Sequence, residues 1–262
     1  MHYSIYLLFH FFNVSFFQCF IISLYPYILI SIYHYFSGML KLNDVFFSYD
    51  PEQKLLQNIN LSLDKGEHLC VMGESGCGKT TLSKLIMRAL APDQGSIVYN
   101  DRGTLMDVFD LEAEETFKLR RQLQFIFQDP FSSLNPRMTV FDVIREPLVI
   151  HKLCDRAEQA EMVKELLRLV GLDPRFLNRY PHSFSGGQRQ RIGIARALAL
   201  RPDFLICDEP VSALDVSIQA QILNLLKELQ EALGPRLGRA VHEQLRSDSE
   251  TGDPWKPIAP IE

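Results

Sequence analysis

Residues 1–38 contain not one Lys, Arg, Asp or Glu. With no basic residue at its start and no small-residue cleavage site, this stretch does not read as a secretory leader. No Lys/Arg cluster flanks it either, the isolated Lys41 being the nearest basic residue, so nothing there sets an orientation across a bilayer. Its length would still allow a span, since about 20 apolar residues cross the hydrocarbon core. An over-long start is the other reading. Seven of the chain's 18 Phe and six of its 9 Tyr fall here, as they would if A/T-rich upstream sequence had been translated. The pattern favours that second reading, and either way the segment is expected to stay out of the domain core. Excess positive charge is lacking too. Lys and Arg number 27 against 32 Asp and Glu, a net charge of -5, which leaves no basic footprint and no expected nucleic-acid partner. The 5 cysteines, at 19, 70, 77, 154 and 207, form no CxxC pair and no metal-ligand spacing. They read as small buried hydrophobes in a reduced setting.

What is present begins at Met39, where a patterned α/β sequence opens. Residues 45–49 and 59–63 read as strands, 64–67 as a turn, and 69–72 as a short buried strand. A helix over 81–90 carries Leu82, Leu85, Ile86 and Leu90 at helical spacing. Pro92 and Gly95 end it before a strand over 96–99. A charged helix over 112–122 precedes an apolar strand over 123–127. Residues 129–181 read as mainly helical with Pro-rich joints. There Asp155 caps a helix whose apolar face runs Met162, Val163, Leu166, Leu167, Leu169 and Val170, with Gly171 at C′. A helix over 187–200, an apolar strand over 204–207 and an amphipathic helix from Ile218 to Leu233 follow. No internal repeat or low-complexity tract interrupts this part.

Between the strand at 69–72 and the helix from 81 lies Gly73-Glu74-Ser75-Gly76-Cys77-Gly78-Lys79-Thr80. It fits the phosphate-binding pattern G-x-x-x-x-G-K-[ST] at every constrained position. Strand, glycine loop and helix N-terminus together aim backbone N–H groups and the positive end of the helix dipole at one spot. Lys79 can reach the β- and γ-phosphates there, and the Thr80 hydroxyl can ligate Mg²⁺. Further on, Phe204-Leu205-Ile206-Cys207 ends in Asp208-Glu209. An acid at the end of a parallel strand can hold Mg²⁺ beside such a loop, and a second acid can polarise the attacking water. Ser185-Gly186-Gly187-Gln188 forms a second anion-binding helix start. Alone it would be an ordinary N-cap; alone, Gln128 would be a surface amide and Asp215 a helix cap.

In this order and spacing the residues resemble the ATP-binding subunits of ABC transporters, across residues 40–234. Gly73 to Thr80 matches the Walker A motif, and Ser185-Gly186-Gly187-Gln188 the LSGGQ-type signature, with Phe184 in the leucine position. Phe204 to Glu209 matches Walker B plus the catalytic glutamate, Gln128 the Q-loop, and Ser212-Ala213-Leu214-Asp215 the D-loop; Tyr49 takes the adenine-stacking place. Residues 127–138 and 212–221 are similar to the oligopeptide/dipeptide importer subfamily, a pattern that nickel-importing relatives share.

The resemblance implies a P-loop NTPase core with a parallel sheet, an N-terminal antiparallel β subdomain and a helical subdomain at about 129–190. It divides the chain into the apolar segment 1–38, an ATP-binding domain over 39–234 and an atypical, partly disordered tail over 235–262. The ligands it implies are ATP and Mg²⁺. Tyr49, Gly73, Glu74, Ser75, Gly76, Cys77, Gly78, Lys79, Thr80, Thr81 and Gln128 would contact nucleotide; Thr80, Gln128 and Asp208 the metal; Glu209 would be catalytic. Ser185, Gly186, Gly187 and Gln188, with Asp215 in the D-loop, would serve the nucleotide of a second ATP-binding subunit, identical or related. Further implied partners are membrane permeases and, indirectly, an extracytoplasmic solute-binding protein, with the chain peripheral on the cytoplasmic face of the membrane. The rival classes are a non-transport ABC protein, a subunit that binds but does not hydrolyse ATP, and a membrane-anchored chain. One departure stands out. The family's switch histidine is either His242, followed here by Glu243 instead of Asp, or absent. In the second case Leu237-Gly238-Arg239-Ala240-Val241 matches a later family strand.

Overall fold

The computed structural model describes residues 6–7, 27–31, 40–63, 68–101, 103–129 and 131–232. Two short strands come first, β1 (Tyr6–Leu7) and β2 (Tyr27–Ser31). Next are β3 (Leu40–Asp50) and β4 (Gln53–Leu63), longer than the sequence pattern predicts because the hairpin carries pairing out to Asp50 and Gln53. β5 (His68–Met72) leads through the glycine loop into α1 (Lys79–Ile86), which ends earlier than its apolar spacing suggests. Arg88, at φ 53°, sits in the left-handed region just past its end. β6 (Gln94–Asp101) and β7 (Thr104–Asp107) form a hairpin, α2 (Ala113–Gln122) runs directly into β8 (Leu123–Ile126), and α3 (Val140–Ile150) opens the helical block. α4 (Arg156–Leu169), two 3-10 turns, α5 (Gly186–Leu198), β9 (Phe204–Asp208) and α6 (Val216–Ala232) complete the order.

The strands form two sheets. One is antiparallel, in the order β4-β3-β6-β7. Alternation, offset by register shifts between Leu42 and Val45 and between Ile59 and Leu56, sets its inner face, Leu40, Leu42, Val45 and Phe47 of β3 being buried with Leu56, Ile59, Leu61 and Leu63 of β4. The other runs β1-β5-β2-β9-β8. β8 and β9 pair in parallel, while β2 is antiparallel to both β5 and β9, so β5, β9 and β8 all point the same way. This departs from the expectation that residues 1–38 lie outside the core. Tyr27–Ser31 fills the slot between β5 and β9, from Tyr27↔Met72 to Ser31↔His68 on one edge and Ile28↔Asp208 to Ser31↔Leu205 on the other. The reason is that backbone groups inside a sheet must be paired, and those two strands do not pair with each other. Most of 1–38 lies outside the described residues, as do the turn at 64–67 and all of 235–262. No described helix is long and apolar enough to cross a membrane.

β9 is buried along its whole length and serves as a wall for two cores. Phe204 and Ile206 face the cluster made by the antiparallel sheet and α1; Leu205 and Cys207 face the cluster of α3, α4, α5 and α6. Burial pushes the Cys207 thiol up to about 12, leaving it an inert packing residue. Cys77 is buried as expected, but Cys154 is exposed beside Met162. In α4 the apolar face holds at Val163 and Leu167, with Val170 just beyond it, while Leu169 turns outward at 37% exposure, one position off the buried stripe.

Candidate functional site

The glycine loop leaves β5 and turns into α1 through two glycines in the left-handed region, Gly76 at φ 84° and Gly78 at φ 102°. Gly78 is constrained twice, because a Cβ on it would lie 2.7 Å from Leu56 Cδ2. Gly78 is also the N-cap of α1 and offers no side-chain cap, so the first N–H groups of the helix have none. Cys77 N–H closes the loop onto the Glu74 carbonyl at 3.2 Å. Lys79 is 5% exposed, and its ammonium donates to the Gly73 and Glu74 carbonyls at 2.8 Å each. The cation the sequence assigns to phosphate is therefore held at the loop by oxygen acceptors that a phosphate can replace.

Strand β9 delivers the acids to the same place. Thr80 Oγ1 donates to Asp208 Oδ1 at 3.2 Å, joining groups 128 residues apart. Burial raises the Asp208 carboxyl above the usual carboxylate range, against the Thr80 hydrogen bond and the pull of Lys79 and Lys84. Glu209 follows in a left-handed conformation, φ 44°, strained for a residue with a side chain. Its carbonyl accepts from Ser212 N–H at 3.2 Å and Ser212 Oγ at 3.1 Å, which pins that conformation. Burial raises its carboxyl as well, aided by repulsion from Asp208 and opposed by Lys79. Gln128, just past β8, donates from Nε2 to Glu209 Oε2 at 2.8 Å. Parallel pairing of β8 with β9 brings these two strand ends side by side.

Tyr49 lies at the end of β3, 64% exposed, with its hydroxyl 3.3 Å from Thr81 Oγ1 and its ring edge-on to Phe47. An exposed ring thus borders the α1 start. Ser185 to Gln188 behave differently. Ser185 caps α5, accepting from Gln188 N–H at 3.4 Å, while its own N–H donates to Gln188 Oε1 at 3.1 Å. Among the described residues no hydrogen bond joins 185–188 to 73–81. Gly186 and Gly187 are instead backed by α6 and the turn before it. A Cβ on Gly186 would lie 3.1 Å from Leu214, and one on Gly187 2.5 Å from Ile218. Asp215 starts α6, its carbonyl accepting from the Ile218 and Gln219 N–H groups. Arg189 and Phe131 are not legible as site residues, since their ring-on-cation contact at 4.2 Å joins the loop after β8 to the first turn of α5 by tertiary packing.

The family model described as "ABC transporter" matches residues 56–212, more than half the chain. The chain belongs to the ABC transporter family. Over 182 residues it is 53% identical to the putative oligopeptide transport ATP-binding protein YkfD of Bacillus subtilis, covering 69% of this chain and 54% of that one. Oligopeptide transport ATP-binding protein AppF of the same organism is 52% identical over 179 residues, covering 68% of this chain and 53% of its own. The chain spans about half the length of these curated relatives. Among solved structures, the dimeric ATP-binding cassette MJ0796 bound to ADP and Pi superposes with a TM-score of 0.62. It is 32% identical and covers 75% of this chain and 84% of its own. These cassettes share the P-loop α/β fold seen here, and nucleotide is the ligand class of the family.

Proposed function

We propose that this ABC chain is the ATP-binding subunit of a peptide importer, hydrolysing ATP to drive oligopeptides or dipeptides through a membrane permease. One observation carries the proposal, the meeting of the Gly73 to Thr80 loop with Asp208 and Glu209 at one end of the sheet. The names of the curated relatives support the peptide cargo. Loop N–H groups and the uncapped start of α1 would bind the polyphosphate, with Lys79 released from its carbonyls to offset charge on the γ-phosphate. The exposed Tyr49 ring would take the adenine face. Glu209, held by Ser212 and Gln128, would orient the attacking water and accept its proton.

The donor set suits Mg²⁺. Asp208 is buried, its carboxylate touches the Thr80 hydroxyl, and no ion pair to it forms among the described residues. A hard divalent cation prefers such oxygen ligands, so Thr80 and Asp208 would hold it together with the Gln128 amide oxygen. Bound there, it would supply positive charge against the phosphate oxygens. The self-capped Ser185 to Gln188 start would open to the nucleotide of a second ATP-binding subunit, with Asp215 beside that interface. The helical block would dock a permease segment, placing the chain at the cytoplasmic face of the membrane. A solute-binding protein would deliver cargo on the far side.

A binding-only subunit has one observation in its favour. The slot between β5 and β9 is taken by β2. Glu209→Gln decides between the two. Loss of turnover with ATP binding kept supports hydrolysis through Glu209; a wild-type chain with no ATPase activity beside its partner subunits favours binding alone.

A further inference from the structure

The loop after Gln128 meets the start of α5 through one aromatic ring. Asp129 fixes the loop backbone, accepting from Phe131 N–H at 2.7 Å and Ser132 N–H at 3.3 Å. Both ends of the loop are also tied to α5, by Gln190 Nε2 to the Phe127 carbonyl at 3.4 Å and Arg196 Nη1 to the Ser133 carbonyl at 2.7 Å. What projects is the Phe131 side chain, 56% exposed. The Arg189 guanidinium lies over its ring at 4.2 Å. That same group donates from Nε to the Phe184 carbonyl at 3.0 Å and from Nη2 to the His182 carbonyl at 3.2 Å. Phe184 immediately precedes the cap Ser185. A planar cation with a rigid donor fork is thus stacked on one loop while holding the backbone of the other. The ring also comes within 3.9 Å of where a Cβ on Gly186 would stand.

We propose that Arg189 is a positioning residue that ties the place of the Ser185 to Gln188 helix start to the Phe131 ring. The consequence for turnover rests on the proposed function above, in which that start closes over a second subunit's nucleotide. The tether itself does not.

The test is hydrogen–deuterium exchange on the full chain. Phe131→Ala and Arg189→Ala are expected to speed exchange of the 184–190 amides about tenfold, leaving those of 79–86 unchanged. The double variant should be no faster than the faster single, because the same ring–cation contact is lost in both. Phe131→Tyr should restore the wild-type rate, and Arg189→Lys should not, since an ammonium keeps the charge and loses the fork. Unchanged exchange in Phe131→Ala, or additive effects, would overturn the tether; Phe131 is exposed, so its variant stays folded even if Arg189→Ala does not. In a Glu209→Gln background, Phe131→Ala should weaken MgATP-driven self-association about tenfold with ATP affinity unchanged. Absence of association in Glu209→Gln alone counts against the facing-subunit arrangement, while exchange still decides the tether.

Discussion

Two helices of this chain begin at glycine-marked turns, and they are finished in opposite ways. α1 starts at Gly78, left-handed and without a side-chain cap, so its leading N–H groups have no side-chain acceptor. α5 starts at Ser185, whose hydroxyl and Gln188 satisfy each other in a reciprocal box. A helix start without a side-chain cap carries available donors and a positive dipole end, to which an anionic ligand can bind without displacing a side chain. A capped one is stable alone and must give up its cap to bind anything. Sequence motifs mark both as phosphate sites; the structure shows one open within the chain and one closed on itself.

Substitutions at these two starts sharpen the contrast. The largest effect is expected at Gly78→Ala, where a left-handed φ and a 2.7 Å approach to Leu56 act together. A loss of about 3 kcal/mol in denaturant unfolding is expected, with ATP binding abolished. Gly186→Ala, free of the φ constraint, should cost no more than about 1 kcal/mol, and a cost equal to that of Gly78→Ala would erase the distinction. Ser185→Ala should lose about 1 kcal/mol, and its turnover should fall while its ATP affinity stays put. If ATP affinity fell instead, α5 would be serving the chain's own nucleotide.

Asp208→Asn matches Ser185→Ala in the expected size of its stability effect and has the opposite sign. The folded carboxyl titrates above its unfolded value, so ionised Asp208 costs stability that the folded state regains only as pH falls through the raised value. Removing the charge should raise the melting temperature by about 2–4 °C near neutral pH while turnover is lost. A lowered melting temperature would mean the carboxylate is compensated after all.

Legibility in the sequence followed how local each signal was. The glycine loop and the apolar run ending in Asp208 and Glu209 carry their meaning in adjacent residues, and both stand where their spacing put them. The hairpin partner β7 escaped notice because Thr104–Asp107 has no alternation over its short length. α3 was blurred by Pro147 inside it. β2 was not readable at all. Ile28, Leu29 and Ile30 form an apolar run without alternation, and the place of the strand is decided by which edges of β5 and β9 need pairing. The Gln128–Glu209 bond spans 81 residues and depends on parallel register, which no local pattern encodes.

Equilibrium binding of MgATP to the full chain and to Lys79→Ala tests the central claim most directly. Saturable binding that weakens about a hundredfold without the ammonium is the expected result, the scale of lost hydrogen bonds to a charged group. Equal affinity in the two proteins, or no binding by the unaltered chain, would contradict it.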